Sequence, residues 1–258
     1  MTLPQRLTPA QVALVICFTA LYAVFASIPI FQILGVPGRN ISAAAISAPI
    51  IGMVLGPYLG MLSATLGGAL SFFVGSFFPP SYVSGIVATT CAGLLRSGKR
   101  AWCALIYVLF LFAFGLYPSI GPFWLFPLST WFQIAGLLIL LSPMQTLAIR
   151  NMNSNKSLKS TYAFFILSLT STLAGQISGS LMYLLSVQAL FFLPIPQGGW
   201  LVLWQGLTAL YPIERTVIAL GATLILVPLF RILKSSNLVQ AVNPASGQKE
   251  QSGMTPKV

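Results

Sequence analysis

The sequence predicts an all-α, polytopic integral membrane protein built as a helical bundle, and three observations support this fold class. The chain of 258 residues is 57% hydrophobic and 6% charged, whereas soluble globular proteins carry about 25% charged residues. Its apolar residues form long runs, several of them near the roughly 20 residues that cross a bilayer. It has no histidine and only two acidic residues. We expect a transmembrane domain over residues 1–234 and a disordered polar tail over residues 235–258.

The first transmembrane helix is predicted from Ala10 to Ile28. Thr8 is suited to cap it, and Pro9 fits the first helical position, where a missing N–H does no harm. The preceding residues lack the pattern of a cleavable signal peptide. We therefore expect the first helix to be retained.

A stripe of small residues follows, at every fourth position. It comprises Ala44, Ala48, Gly52, Gly56, Gly60, Ala64 and Gly68. This spacing places small side chains on one helical face, where another backbone can come close. The predicted helix-packing residues are Gly52, Gly56, Gly60, Ala64 and Gly68. Because Gly56-Pro57 disfavours a continuous helix, we expect two packed helices joined by a sharp turn. The pattern does not distinguish a partner helix of this chain from another protein.

The remaining apolar segments bring the predicted number of spans to eight. They run over Ile41–Gly56, Tyr58–Phe78, Pro80–Leu95, Ala101–Tyr117, Leu125–Leu141, Tyr162–Phe192 and Pro212–Leu233. The total falls to six or seven if the shorter segments do not cross, and Pro80–Leu95 in particular fits a re-entrant or tilted piece. Tyr162–Phe192 is long enough to require a tilt or a path along the interface.

The basic residues favour the higher count, because Lys and Arg prefer cytoplasmic loops. With the N-terminus inside, eight crossings place all 13 basic residues except Arg39 and Arg215 on the inner side. The net charge of +11 is thus explained by orientation, and we expect no nucleic-acid partner. We expect a multi-pass protein of the plasma membrane with both termini in the cytoplasm.

The missing residue types disfavour an enzyme. Zinc-dependent, rhomboid-like and intramembrane aspartyl mechanisms need His or Asp, and this chain has neither. Its three cysteines lie in or beside apolar segments without a CxxC spacing. We expect no catalytic residue, no metal and no cofactor.

The predicted outer side concentrates groups that recognise small molecules. The predicted substrate-binding residues are Arg39, Asn40, Trp200, Trp204, Tyr211, Glu214 and Arg215. Aromatic walls with a few polar groups are typical of ligand pockets, and an ionisable residue at membrane depth tends to be functional. Two alternatives stay open. Trp and Tyr also form interfacial belts, and Glu214 would complement the helix dipole if Pro212 began the last helix.

The segment Ala48-Pro49-Ile50-Ile51-Gly52-Met53-Val54-Leu55-Gly56-Pro57-Tyr58-Leu59-Gly60, with Ala64 and Gly67-Gly68 after it, carries a family resemblance. Small residues recur at every fourth position of the first helix, and the loop Gly35–Arg39 follows it. This N-terminal part resembles the substrate-binding S component of an energy-coupling-factor transporter. The helix that starts with Pro212-Ile213-Glu214-Arg215 is similar to the closing helix of some members.

The resemblance implies a membrane subunit that captures a vitamin-like organic micronutrient from outside the cell. It implies partnership with a transmembrane coupling protein and cytoplasmic ATPases, and no Walker motif occurs in this chain. The docking surface of the family would map to Thr19, Ala23 and Ser27, with Thr19 in place of an alanine. The missing N-terminal histidine disfavours nickel or cobalt as cargo. The usual member has six helices, fewer than the eight predicted here.

Two other functions remain open at this point. In the first, the chain is a membrane scaffold or assembly protein whose glycines serve oligomerisation. In the second, it is a self-energised secondary transporter, which the missing internal repeat and the scarcity of carboxylates disfavour.

Overall fold

The computed structural model describes residues 8–32, 40–76, 78–117, 130–154, 156–190 and 197–235, without the side chains of residues 187–190, 197–205 and 234–235. This part of the chain is almost entirely helical. The predicted tail beyond Ser235 lies outside the described residues. In chain order the elements are α1 (Pro9–Ala26), β1 (Pro29–Gln32), β2 (Asn40–Ser42), α2 (Ala44–Phe73), α3 (Pro79–Arg96), α4 (Arg100–Gly115), α5 (Trp131–Leu141), α6 (Pro143–Asn151), α7 (Ser157–Leu190) and α8 (Gln197–Ser235).

Helix α1 begins where the sequence predicts. The Thr8 hydroxyl accepts a hydrogen bond from the Gln11 backbone N–H at 3.3 Å, and the Thr8 N–H donates to Oε1 of Gln11 at 3.0 Å. The two bonds form a reciprocal capping box, and Pro9 occupies the first turn. Further along, Tyr22 is fully buried between α1 and the rest of the bundle.

A short β-hairpin, which the sequence does not predict, joins α1 to α2. Strand β1 pairs with β2 in antiparallel register, with Phe31 opposite Ile41 and Gln32 opposite Asn40. The Ala43 N–H donates to the carbonyl of Ile28 at 2.9 Å. The hairpin therefore holds the start of α2 beside the end of α1.

Helix α2 reverses direction at Gly56, which confirms the predicted turn. Gly56 has φ 81° and ψ −176°, a conformation that is essentially restricted to glycine. A Cβ added to Gly60 would lie 3.2 Å from the Cα of Gly52. In a continuous helix two residues eight positions apart are separated by about 12 Å. Residues 44–55 and 57–73 therefore form two closely packed antiparallel half-helices.

The small-residue stripe contacts the chain's own helices. A Cβ on Gly52 would lie 2.9 Å from the Cβ of Ala92 on α3. Gly60 faces the side chain of Thr89 on the same helix. Next to the last residue of the stripe, a Cβ on Gly67 would lie 2.7 Å from the carbonyl oxygen of Thr19 on α1. Helices α1 and α3 thus both approach α2 at glycine positions.

Helix α7 occupies the centre of the bundle. It packs against α3, α4, α5, α6 and α8, and residues 166–180 are buried without interruption. At 34 residues it extends about 50 Å, longer than the roughly 30 Å hydrocarbon core. A path along the membrane interface does not fit its burial, and the tilt of this helix stays a prediction.

The described helices are those of a membrane protein. Four are long and apolar enough to cross a bilayer, within Pro9–Ala26, Ala44–Phe73, Ser157–Ser186 and Gly206–Leu233, but Ala44–Phe73 reaches its length only across the reversal at Gly56 and is not one straight span. Helices α5 and α6 form a fifth candidate, bent by 63°, with Ser142 capping α6 at the bend. Helix α4 is apolar but shorter, and α3 is less apolar. A helical membrane bundle follows from these features, whereas the total of eight crossings stays a prediction.

Candidate functional site

A cavity of about 110 Å³ lies inside the bundle. Its wall is formed by the first turns of α2 and α3, the second half of α7 and the middle of α8. The β-hairpin adds Gln32 and Ser42. This volume is smaller than the roughly 150 Å³ of an apolar cavity that binds benzene, so the space suits at most one small ring.

Close packing of α3 on α7 shapes one side of the cavity. A Cβ on Gly175 would lie 2.6 Å from the carbonyl oxygen of Ser84, and one on Gly179 would lie 3.0 Å from the Cβ of Ser84. Only a glycine allows the two helices to come this close. The four-residue spacing of Gly175 and Gly179 is a sequence signal that could have identified this contact.

Glu214 and Arg215 supply the charged groups of the cavity wall. Their side chains are 2% and 8% exposed, and Nη2 of Arg215 lies 3.7 Å from Oε2 of Glu214. This ion pair is longer than a hydrogen bond. Oε2 of Glu214 and Nε of Arg215 have no hydrogen-bond partner among the described residues. The two opposite charges cancel, and both side chains still have an atom that can hydrogen-bond to a molecule in the cavity.

The expected start of the last helix at Pro212 is wrong. Helix α8 begins at Gln197 and continues through Pro212. An internal proline is tolerated in a membrane helix because its neighbours can satisfy the freed backbone groups. Glu214 therefore lies in the middle of a helix, where the first-turn dipole that would have explained it is absent. Its position in the cavity wall is the better explanation of its burial.

Gln176 on α7 is the main polar group that the sequence does not single out. It lines the cavity and is 3% exposed. Neither Nε2 nor Oε1 has a hydrogen-bond partner in the described part of the chain. An unpaired buried amide costs about 1–3 kcal/mol, so the position favours a bound partner. In a segment rich in Ser and Thr, no spacing distinguishes this one glutamine.

Three of the predicted substrate-binding residues meet at the cavity, namely Tyr211, Glu214 and Arg215. Asn40 is exposed in β2 and is not part of the cavity wall. Arg39 lies outside the described residues. Trp200 and Trp204 belong to α8, but their side chains are not described, so their stacking role stays a prediction.

The predicted docking residues of α1 lie along the second half of α2. The Thr19 hydroxyl donates to the carbonyl of Ser63 at 3.4 Å and to its hydroxyl at 3.3 Å. The hydroxyl of Ser27 is 3.5 Å from that of Ser76. Ala23 between them is half-buried. Thr19 thus contributes to packing within the chain, and a role for this face in binding a partner stays a prediction.

Basic side chains gather at the end of the bundle opposite the cavity. Arg100 donates to the hydroxyl of Thr146 at 2.8 Å, and Arg231 donates to that of Ser157 at 2.9 Å. Lys99 lies 5.6 Å from the ring centre of Tyr58, next to the Gly56 turn. Helix α3 runs from Ser84 at the cavity to Arg96 at this end. The cavity and the basic end are thus on opposite sides of the bundle.

In the part of the chain that the structure describes, no three His, Cys, Asp or Glu side chains come together as a metal site. Cys17, Cys91 and Cys103 are free thiols. Comparisons of the chain with protein-family models, with curated proteins and with solved structures give no match.

Proposed function

We propose that this protein is the substrate-binding membrane subunit of an energy-coupling-factor-type transporter and that it captures a small organic micronutrient in the cavity. The observation that carries the proposal is the mostly apolar cavity inside the bundle, with Glu214 and Arg215 buried in its wall. Ionisable residues at membrane depth are costly and tend to be functional. A cavity with few, convergent polar groups is typical of small-molecule sites.

The positions of the basic residues support an orientation for this subunit. The end that carries Arg96, Lys99, Arg100 and Arg231 would face the cytoplasm, so the cavity would face outward. An outward cavity suits the capture of a nutrient. The cytoplasmic end would meet a transmembrane coupling protein and ATPases, because this chain has no Walker motif of its own. It would act without catalytic residues or cofactors.

The class of protein is tested by purification from native membranes under mild conditions. We expect two ATPases and a transmembrane coupling protein to copurify, and uptake of the ligand to require ATP. Ion-gradient-driven uptake by this chain alone would instead support a secondary transporter. Self-association without either activity would support a scaffold.

The site is tested with Glu214→Gln. We expect the variant to retain about one-tenth or less of the parental amount of small molecule released on denaturation, because a hydrogen bond to a charged group contributes about 1.5–3 kcal/mol. Glu250→Gln, at the only other acidic residue, is the matched control. Tyr211→Phe provides a milder change if loss of the carboxylate impairs folding. Parental ligand content in both Glu214→Gln and Tyr211→Phe would refute the site.

A further inference from the structure

The buried hydroxyls near Gln176 are mostly satisfied within α7. Thr172 donates to the carbonyl of Ser168 at 2.8 Å, and Ser178 donates to that of Gly175 at 2.7 Å. Such bonds to the preceding turn are the usual way for Ser and Thr to be satisfied in a membrane helix. A glutamine side chain is longer and carries a donor and an acceptor side by side. The Gln176 amide is therefore the group of α7 on this wall whose donor and acceptor both lack a partner among the described residues.

Among the described residues, the wall residues have both donor and acceptor atoms without a hydrogen-bond partner. The donors are Nε2 of Gln176 and Nε of Arg215, and the acceptors are Oε1 of Gln176 and Oε2 of Glu214. A simple anion would satisfy the donors but leave two acceptors facing negative charge. A simple cation would leave the donors unpaired. The Glu214–Arg215 pair adds no net charge, so the wall favours a ligand that is itself neutral or zwitterionic.

From these groups we infer that the cavity binds an uncharged or zwitterionic organic molecule that presents an adjacent N–H and C=O to Gln176, as in a lactam, a cyclic urea or a carboxamide. Two parallel hydrogen bonds then satisfy both ends of the Gln176 side chain. A second polar group on the molecule pairs with Glu214 and Arg215. The cavity of about 110 Å³ holds a ring of this kind. The inference rests on the proposed function, since it names the chemistry of the molecule bound at the same site.

The test is to identify the small molecules released from the purified full-length chain by mass spectrometry. We expect a near-stoichiometric compound with a cis-amide or urea group and no net charge. Gln176→Leu should lower its amount about 10- to 100-fold, as expected for the loss of two neutral hydrogen bonds. Gln176→Glu keeps the size of the side chain but replaces the donor with an acceptor. This variant should lower the amount of released compound at least as much as Gln176→Leu does.

Gln145→Leu is the matched control. Gln145 is also fully buried with both amide atoms unpaired among the described residues, but it lies on α6 and away from the cavity. The Gln145→Leu variant should retain the parental ligand content. The inference is overturned by a released anion without an amide, by the absence of any stoichiometric compound, or by parental content in both Gln176 variants.

The two proposals fail separately. A neutral amide bound by a chain that copurifies with no ATPase would uphold the inferred ligand chemistry and refute the transporter class. An anionic ligand in an intact complex with ATPases would refute the inferred ligand chemistry and uphold the transporter class.

Discussion

Arg96 at the end of α3 should be the most sensitive basic residue for stability. Its Nη1 donates to the backbone carbonyls of Met53 and Val54, which are 0% and 4% exposed as residues. These carbonyls end the first half-helix of α2, and the turn at Gly56 deprives them of helical partners. The guanidinium also lies 5.6 Å from the ring centre of Phe230 on α8. One cation therefore holds three helices together.

Arg96→Ala removes these bonds and leaves two buried carbonyls unpaired. Hydrogen bonds to charged groups contribute about 1.5–3 kcal/mol each, whereas those measured between membrane helices average about 0.6 kcal/mol. Since the carbonyls lie at a helix end and lose their only described side-chain donor, we expect a loss of about 3 kcal/mol in the free energy of unfolding. At roughly 2–4 °C per kcal/mol, the melting temperature should fall by about 6–12 °C.

The assay is thermal unfolding of the detergent-purified protein, followed by the loss of monodisperse material. Arg231→Ala is the matched control, because that exposed residue makes one described hydrogen bond and should shift the melting temperature by less than about 3 °C. Arg96→Lys retains the charge and should show an intermediate loss. An Arg96→Ala protein that melts with the parent, or with Arg231→Ala, would refute the reasoning.

Two further predictions concern packing and orientation. Gly52→Ala should destabilise the protein by about 1–3 kcal/mol, because the new methyl would meet the backbone of Thr89; Gly206→Ala, with open space around it, should be neutral or slightly stabilising in the same thermal assay. If both glycines tolerate alanine equally, the close approach of α2 and α3 is wrong. For orientation, Asn40→Cys should react with a membrane-impermeant thiol reagent in intact cells, and Ser97→Cys only after permeabilisation; the opposite pattern would invert the proposed topology, with the unsubstituted chain as the background.

The features that the sequence predicts are those encoded by single residues. The cap of α1 depends on the side chain of Thr8 and the fixed φ of Pro9, and the reversal of α2 depends on Gly56. Glu214 could be identified because a carboxylate in an apolar segment is conspicuous. These signals are local and need no knowledge of neighbouring helices.

The features that the sequence does not predict depend on contacts between distant segments. Gln176 stands out only once its neighbours are seen to be satisfied and the cavity is seen beside it. The sequence places the start of α8 at Pro212 because proline is favoured at the first helical position, whereas the structure has it in the interior of a membrane helix, where its surroundings compensate. The hairpin consists of strands of four and three residues, too short for a periodic pattern.

The first half of α2 also has a consequence for how the protein is made. It extends over twelve residues, 44–55, or about 18 Å, so it is too short to settle across a bilayer unaided. Its side chain at Ile46 comes within contact of Gly221 on α8, where an added Cβ would lie 3.2 Å away. Because α8 is synthesised after α2, a later helix completes the shelter of an earlier one. A nascent chain that stops before α8 lacks the part of the cavity wall that carries Tyr211, Glu214 and Arg215, even with α1, α2, α3 and α7 already in the membrane.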